Sequence, residues 1–121
     1  MTQLYGVDAL QAQAKFFDLS LDIQLIIDSD GIIVLCNSAF AKIFNCSTDE
    51  LVNTHLLTYI EDVPDDMTKY LAETHQLTSF ECALVHFDGT LHRYIITLYP
   101  DDGGAYHVIG KDITPYREME N

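Results

Sequence analysis

The chain has 121 residues, 48% of them hydrophobic, and 19 acidic against 6 basic side chains give a net charge of −13. This length holds one core rather than two, the apolar content excludes disorder, and no apolar run approaches the roughly 20 residues of a membrane span. So acidic a surface repels phosphate backbones, which excludes direct nucleic-acid binding; the acidity is read as a solubility feature.

In chain order, 7–21 reads as a helix. Val7, Leu10, Ala14, Phe17 and Leu21 recur at intervals of three and four, an apolar stripe two heptads long. Such a stripe serves either packing within the domain or pairing with a second subunit. Leu25 to Ile27 and Ile32 to Cys36 are apolar runs on either side of Asp28-Ser29-Asp30-Gly31, and Asp-Gly between two such runs predicts an antiparallel hairpin. Asn37 is placed as the N-cap of a helix whose inner face carries Phe40, Ile43 and Phe44. On capping alone, Asn37→Ala is expected to cost about 1 kcal/mol and Asn37→Asp to be nearly neutral.

Ser47 followed by Glu50 forms a capping box that opens a short helix through Val52. The run 53–60 is ambiguous and reads at most as another helical turn. Pro64 or Asp65 begins a further helix, with Met67, Tyr70, Leu71 and Thr74 inward, ending near His75. Three strands follow, at 78–86, 91–99 and 105–113, joined by turns at Asp88-Gly89 and Asp101 to Gly104. Thr114-Pro115 stops the last strand, and 116–121 looks like the start of a helix. The fold class is therefore α+β: a five-stranded, mostly antiparallel sheet with short helices on one face and an N-terminal flanking helix. Its concave side is suited to a cavity.

Cys36, Cys46 and Cys82 are an odd count without CxxC spacing and read as small buried hydrophobes in a reducing compartment. Residues 1–6 lack a signal-peptide pattern, so a cytoplasmic location is expected. The five histidines show no metal spacing. A two-residue turn at Asp88-Gly89 would put His86 and His92 on opposite sheet faces, so no metal site is expected there. Nothing resembles a phosphate loop, a nucleophile elbow or a kinase signature, and no catalytic residue is assigned.

Six pieces in order resemble the PAS domain, a sensor module of bacterial signalling proteins. They are the Asp30-Gly31 turn, Asn37-Ser38-Ala39-Phe40, Ser47-Thr48-Asp49-Glu50-Leu51, Pro64-Asp65-Asp66, the Asp88-Gly89 turn and Gly110-Lys111-Asp112-Ile113-Thr114. The resemblance implies a flanking helix at 1–21, a core at 22–114, and the start of a linker to an output domain at 115–121. It implies a non-catalytic module that binds a small ligand or a partner, forms a homodimer and feeds a C-terminal output, often a histidine kinase or a diguanylate cyclase. An interaction-only module with a filled core is the alternative.

The candidate pocket is Phe40, Phe44, Tyr70, Phe80, Cys82, Ile96 and Leu98, with the strand phase left open. Signal relay is assigned to Asp112, Ile113 and Thr114, with Asp112 holding the amides of the next turn or Arg117. Dimerisation is assigned to Val7, Leu10, Ala14, Phe17 and Leu21. The cofactor is unknown. Covalent flavin photochemistry is excluded because 53–60 lacks the reactive cysteine of flavin-photosensing relatives. Haem ligation through His75 is disfavoured by its polar neighbours. No membrane contact by this segment is expected.

Overall fold

The computed structural model describes residues 2–65, 67 and 75–116, with 2–10 described as backbone alone. Helix α1 (Thr2–Leu19) leads into β1 (Ile23–Ile27) and β2 (Ile33–Cys36), followed by α2 (Ser38–Ile43), α3 (Thr48–Leu51) and a 3-10 turn at Leu56–Thr58. Strands β3 (Ile60–Glu61), β4 (Thr78–Val85), β5 (Leu91–Pro100) and β6 (Tyr106–Asp112) complete one antiparallel sheet of six, ordered β2-β1-β6-β5-β4-β3. The sequence predicts five strands. The sixth is β3, two residues long and paired with the edge of β4 through Ile60–Leu84, starting at the last residue of the run whose pattern is ambiguous. The helix expected from 64 to 75 lies outside the described residues except at Met67, which is helical and buried.

Three-residue hairpin loops set the strand phase. In each, the residue before the loop donates its N–H to the carbonyl four residues on: Asp28 to Ile32, His86 to Thr90 and Asp101 to Ala105, at 2.9 Å each. The last loop residue is Gly31, Gly89 or Gly104, each at a φ between +86° and +92°. A type I turn followed by a left-handed glycine has this form, and it is one residue longer than a two-residue Asp-Gly turn. That extra residue reverses which side chains share a face. Leu84 pairs with His92, so even-numbered residues of β4 and β5 point the same way.

The inner face is apolar throughout. Leu25, Ile27, Ile33, Leu84, Ile96, Leu98 and Val108 are fully buried there, and Phe40 of α2 and Leu56 of the 3-10 turn pack against them. The outer face is mixed, and Leu35, Ile95 and Tyr99 stand exposed on it. Among the described residues, no helix is long and apolar enough to cross a membrane.

Helix α1 stops at Leu19, where Ser20 N–H still donates to Phe16 O at 3.0 Å. Leu21 sits beyond the helix end and is almost fully exposed, so it does not continue the stripe. Within the helix Ala14 is exposed and Phe17 half-buried, while the side chains of Val7 and Leu10 lie outside the described residues.

Candidate functional site

Two chain segments meet at one end of the sheet: the end of α1, and the exit from β6. Asn37 ties the first of these to the core. It is fully buried, and all its polar atoms are engaged. Its Oδ1 accepts from Phe40 N, as an N-cap, and also from Gln24 N at 3.0 Å. Its Nδ2 donates to Phe17 O at 2.9 Å and to Asp22 O at 3.0 Å. Asn37 is thus a cap and a clasp on the α1–β1 connection. The reading as a cap alone, with Asp as its equal, is corrected by these two donated bonds. The second cap reads as the sequence has it: Ser47 N–H donates to Glu50 Oε2 at 2.8 Å, the glutamate arm of the capping box.

In the second of these segments, Asp112 closes β6. Its Oδ1 accepts from Thr114 N at 2.9 Å, and its Oδ2 lies 2.7 Å from His92 Nδ1. Arg93 N–H donates to Thr114 Oγ1 at 2.8 Å, and Ile113 N–H donates to Arg93 O at 2.8 Å. The chain therefore leaves the sheet clamped to β5 on backbone and side chain together. Arg117, the other suggested partner of Asp112, lies outside the described residues.

His86 and His92 stack in parallel beside Asp112, with ring centroids 3.7 Å apart and planes 10° apart. The expectation that they occupy opposite faces is wrong, because the three-residue loop puts both on the face of Leu84. His86 Nε2 is 2.9 Å from the Tyr94 hydroxyl, and His92 Nε2 is 3.0 Å from Thr90 Oγ1. Burial, and then the neighbouring His92, pull His86 below the ordinary histidine range. Burial alone would raise Asp112, but the hydrogen bonds from Thr114 and His92 outweigh it and hold the carboxyl below its usual value. Burial, reinforced by the Asp112 charge, pushes the Tyr94 phenol up, so it stays neutral.

An open cleft of about 600 Å³ adjoins this cluster. Leu19 and Asp22 border it from the α1–β1 side, Ser38 and Lys42 from α2, and Tyr94 and Asp112 from the sheet. Sequence reasoning missed the cleft. The length of the β4–β5 loop was the signal that would have put His86 on its wall, with His92 stacked beside it.

The candidate pocket residues fall as follows. Phe40, Phe80, Cys82, Ile96 and Leu98 all lie on the inner side and are buried. Phe44 is partly buried, with its ring 5.2 Å from that of Phe40 and 5.0 Å from that of Tyr59. Tyr70 lies outside the described residues. His75 is held by the β5–β6 loop, its Nε2 2.7 Å from Asp101 O and its ring 4.7 Å from that of Tyr106.

The three cysteines are free thiols. Burial raises the Cys36 pKa to about 11 and the Cys82 pKa to about 12, while Cys46 is raised by slight burial and by the Glu50 charge. Only Cys46 is part-exposed. The native protein should therefore offer a single fast thiol to a disulfide reagent at pH 8, and Cys46→Ser should abolish it. Loss of the fast thiol in Cys82→Ser instead would refute this assignment.

A family model described as the PAS fold matches residues 16–108. The chain belongs to the PAS family. No curated protein matches it by sequence. Among solved structures it is similar to the PAS domain of an HTR-like protein from Haloarcula marismortui, with a TM-score of 0.74 at 19% identity, covering 88% of this chain and 98% of that one. The PAS domain of nitrogen regulation protein NR(II) from Vibrio parahaemolyticus is similar at a TM-score of 0.68 and 18% identity, covering 84% and 97%. The PAS domain of the quorum-sensing receptor RpfR from Cronobacter turicensis, solved in complex with BDSF, follows at 0.66 and 14%, covering 78% and 96%. PAS domains are sensor modules of signalling proteins and are generally non-catalytic.

Proposed function

We propose that this PAS domain is a cytoplasmic sensor that binds a small ligand or a partner and passes a conformational change along β6 to a C-terminal output domain. The observation that carries this reading is the place of β6. It runs between β1 and β5 at the middle of the sheet, buries Tyr106 and Val108 in the core, and ends at the clamp on Asp112 and Thr114. A change in what packs against the inner face acts on those two side chains and moves the strand that leads out of the domain. Phe40, Phe80, Cys82, Ile96 and Leu98 make that face apolar, which suits an apolar ligand. In the native protein with its output attached, Asp112→Ala should change output activity while costing only about 1 kcal/mol of stability. Unchanged output would remove the relay role.

Homodimerisation is supported by the outer side of the molecule. Phe16 on α1 is 70% exposed, and Leu35 and Ile95 are 46% and 41% exposed on the outer sheet face. Burying apolar surface of this kind against a second copy would stabilise an isologous pair. Sedimentation should show a dimer that Leu10→Glu with Phe17→Glu converts to a folded monomer. A parent that is monomeric at high concentration would leave the stripe a matter of packing within one chain.

A further inference from the structure

We propose that His86, His92 and Asp112 form a binding site for a borderline divalent metal ion of the Zn²⁺ type. Two imidazoles and one carboxylate are a donor set for zinc and its transition-metal neighbours, and a poor one for Mg²⁺ or Ca²⁺, which take oxygen. One donor atom from each residue lies within 4.8 Å of the other two. The three come from the residue just after β4, the start of β5 and the end of β6, so the sheet fixes their spacing. His92 and Asp112 are 28% and 33% exposed, which leaves an ion a path in from solvent.

The partners behind the rings select the ligating atoms. Thr90 Oγ1 donates its one proton to Asp88 Oδ1 at 2.6 Å, so toward His92 Nε2 it accepts, and Nε2 carries hydrogen. His92 Nδ1 is then the atom turned toward Asp112, and the proton it shares with that carboxylate leaves when an ion binds. Tyr94, a neutral phenol, lies at His86 Nε2 and accepts from it when Nε2 is protonated, which leaves the His86 Nδ1 lone pair for a ligand. A ligating histidine that gives its other N–H to an oxygen partner is the usual arrangement of such sites. Asp112 Oδ1 is held by Thr114 N, so Oδ2 is the oxygen presented.

Binding changes the local geometry in two ways. Donor atoms on a tetrahedral zinc sit roughly 3.3 Å apart, so the 2.7 Å contact between His92 and Asp112 must open. Ring lone pairs lie in the ring planes, so the parallel stack must tilt for both imidazoles to face one ion. The ion then fastens the β4–β5 hairpin to the last residue of β6.

The test is calorimetric titration of tag-free, reduced protein with Zn²⁺, with Co²⁺ absorption as the reporter of coordination. The expected result is one ion per chain, with affinity weakened about tenfold or more by each of His86→Gln, His92→Gln and Asp112→Asn. Circular dichroism of each variant should match the parent, and excess Mg²⁺ should not compete. No Zn²⁺ binding overturns the proposal. Binding that survives all three substitutions, or that Cys46→Ser abolishes, overturns it equally.

Discussion

Asn37→Ala is expected to lose about 3 kcal/mol of folding stability, several times the cost of losing a cap alone, because a fully buried side chain serves four backbone groups. Each buried group left without a partner costs about 1–3 kcal/mol. Phe17 O and Asp22 O lie near enough to the surface for water to recover part of this, which keeps the total below the sum. Asn37→Asp is the more telling variant. It keeps the two accepted bonds from Gln24 and Phe40, but it turns a second oxygen toward two carbonyl oxygens. It should be at least as unstable as the alanine variant near neutral pH. A protonated carboxyl supplies one donor in the native state, so that state binds the extra proton more tightly than the unfolded chain. Stability relative to the parent should then rise as pH falls through the raised native pKa. Chemical denaturation of the three proteins at pH 5 and pH 8 decides the matter. An aspartate variant as stable as the parent at pH 8 would show that the bonds to Phe17 and Asp22 contribute nothing.

The difference between a cap and a clasp shows what the sequence made legible. Asn37 before Phe40, Ile43 and Phe44, the Ser47–Glu50 box and the Gly110 to Thr114 run are local patterns, and local physics places them. The carbonyls that Asn37 holds come from residues 15 and 20 positions upstream, and no local pattern announces a partner so far away. Loop length is the other failure. Asp88-Gly89 signals a turn, yet whether two or three residues make it depends on the closing bond from His86 to Thr90. One residue of difference decides whether two histidines face each other or stand on opposite sides of the sheet. The phase of β4 and β5 was hidden for a related reason: Ile95 and Tyr99 on the outer face are as apolar as Ile96 and Leu98 on the inner. Strand β3 is two residues long, too short for any alternation to register. The end of α1 misled because Leu21 fits the three-and-four spacing, although the chain has already turned toward β1.

Gly110→Ala carries the second large effect, and here the reason is space rather than backbone freedom. Gly110 lies in β6 directly between Ile23 of β1 and Ile96 of β5, both buried. The two isoleucine side chains fill the position that a side chain at 110 would take. A Cβ there would come within 2.5 Å of Ile23 Cδ1 and 2.8 Å of Ile96 Cδ1, closer than real carbon contacts allow. Restricting the unfolded chain by replacing glycine gains about 0.4–1 kcal/mol. Overpacking a close-packed core costs about 1–3 kcal/mol. Because β6 is a central strand, its neighbours cannot back away without disturbing the ladders on both sides, so the cost should prevail by about 2 kcal/mol. The check is a double-mutant cycle. Ile96→Val removes the Cδ1 that the new methyl meets, so its own cost should fall when Gly110→Ala is present; on the other side the Ile23 Cγ1 also meets the new methyl, so there the matching partner is Ile23→Ala. Losses that simply add across the cycle would show that the strand accommodates alanine elsewhere, and that Gly110 is not the gap into which the two isoleucines fit.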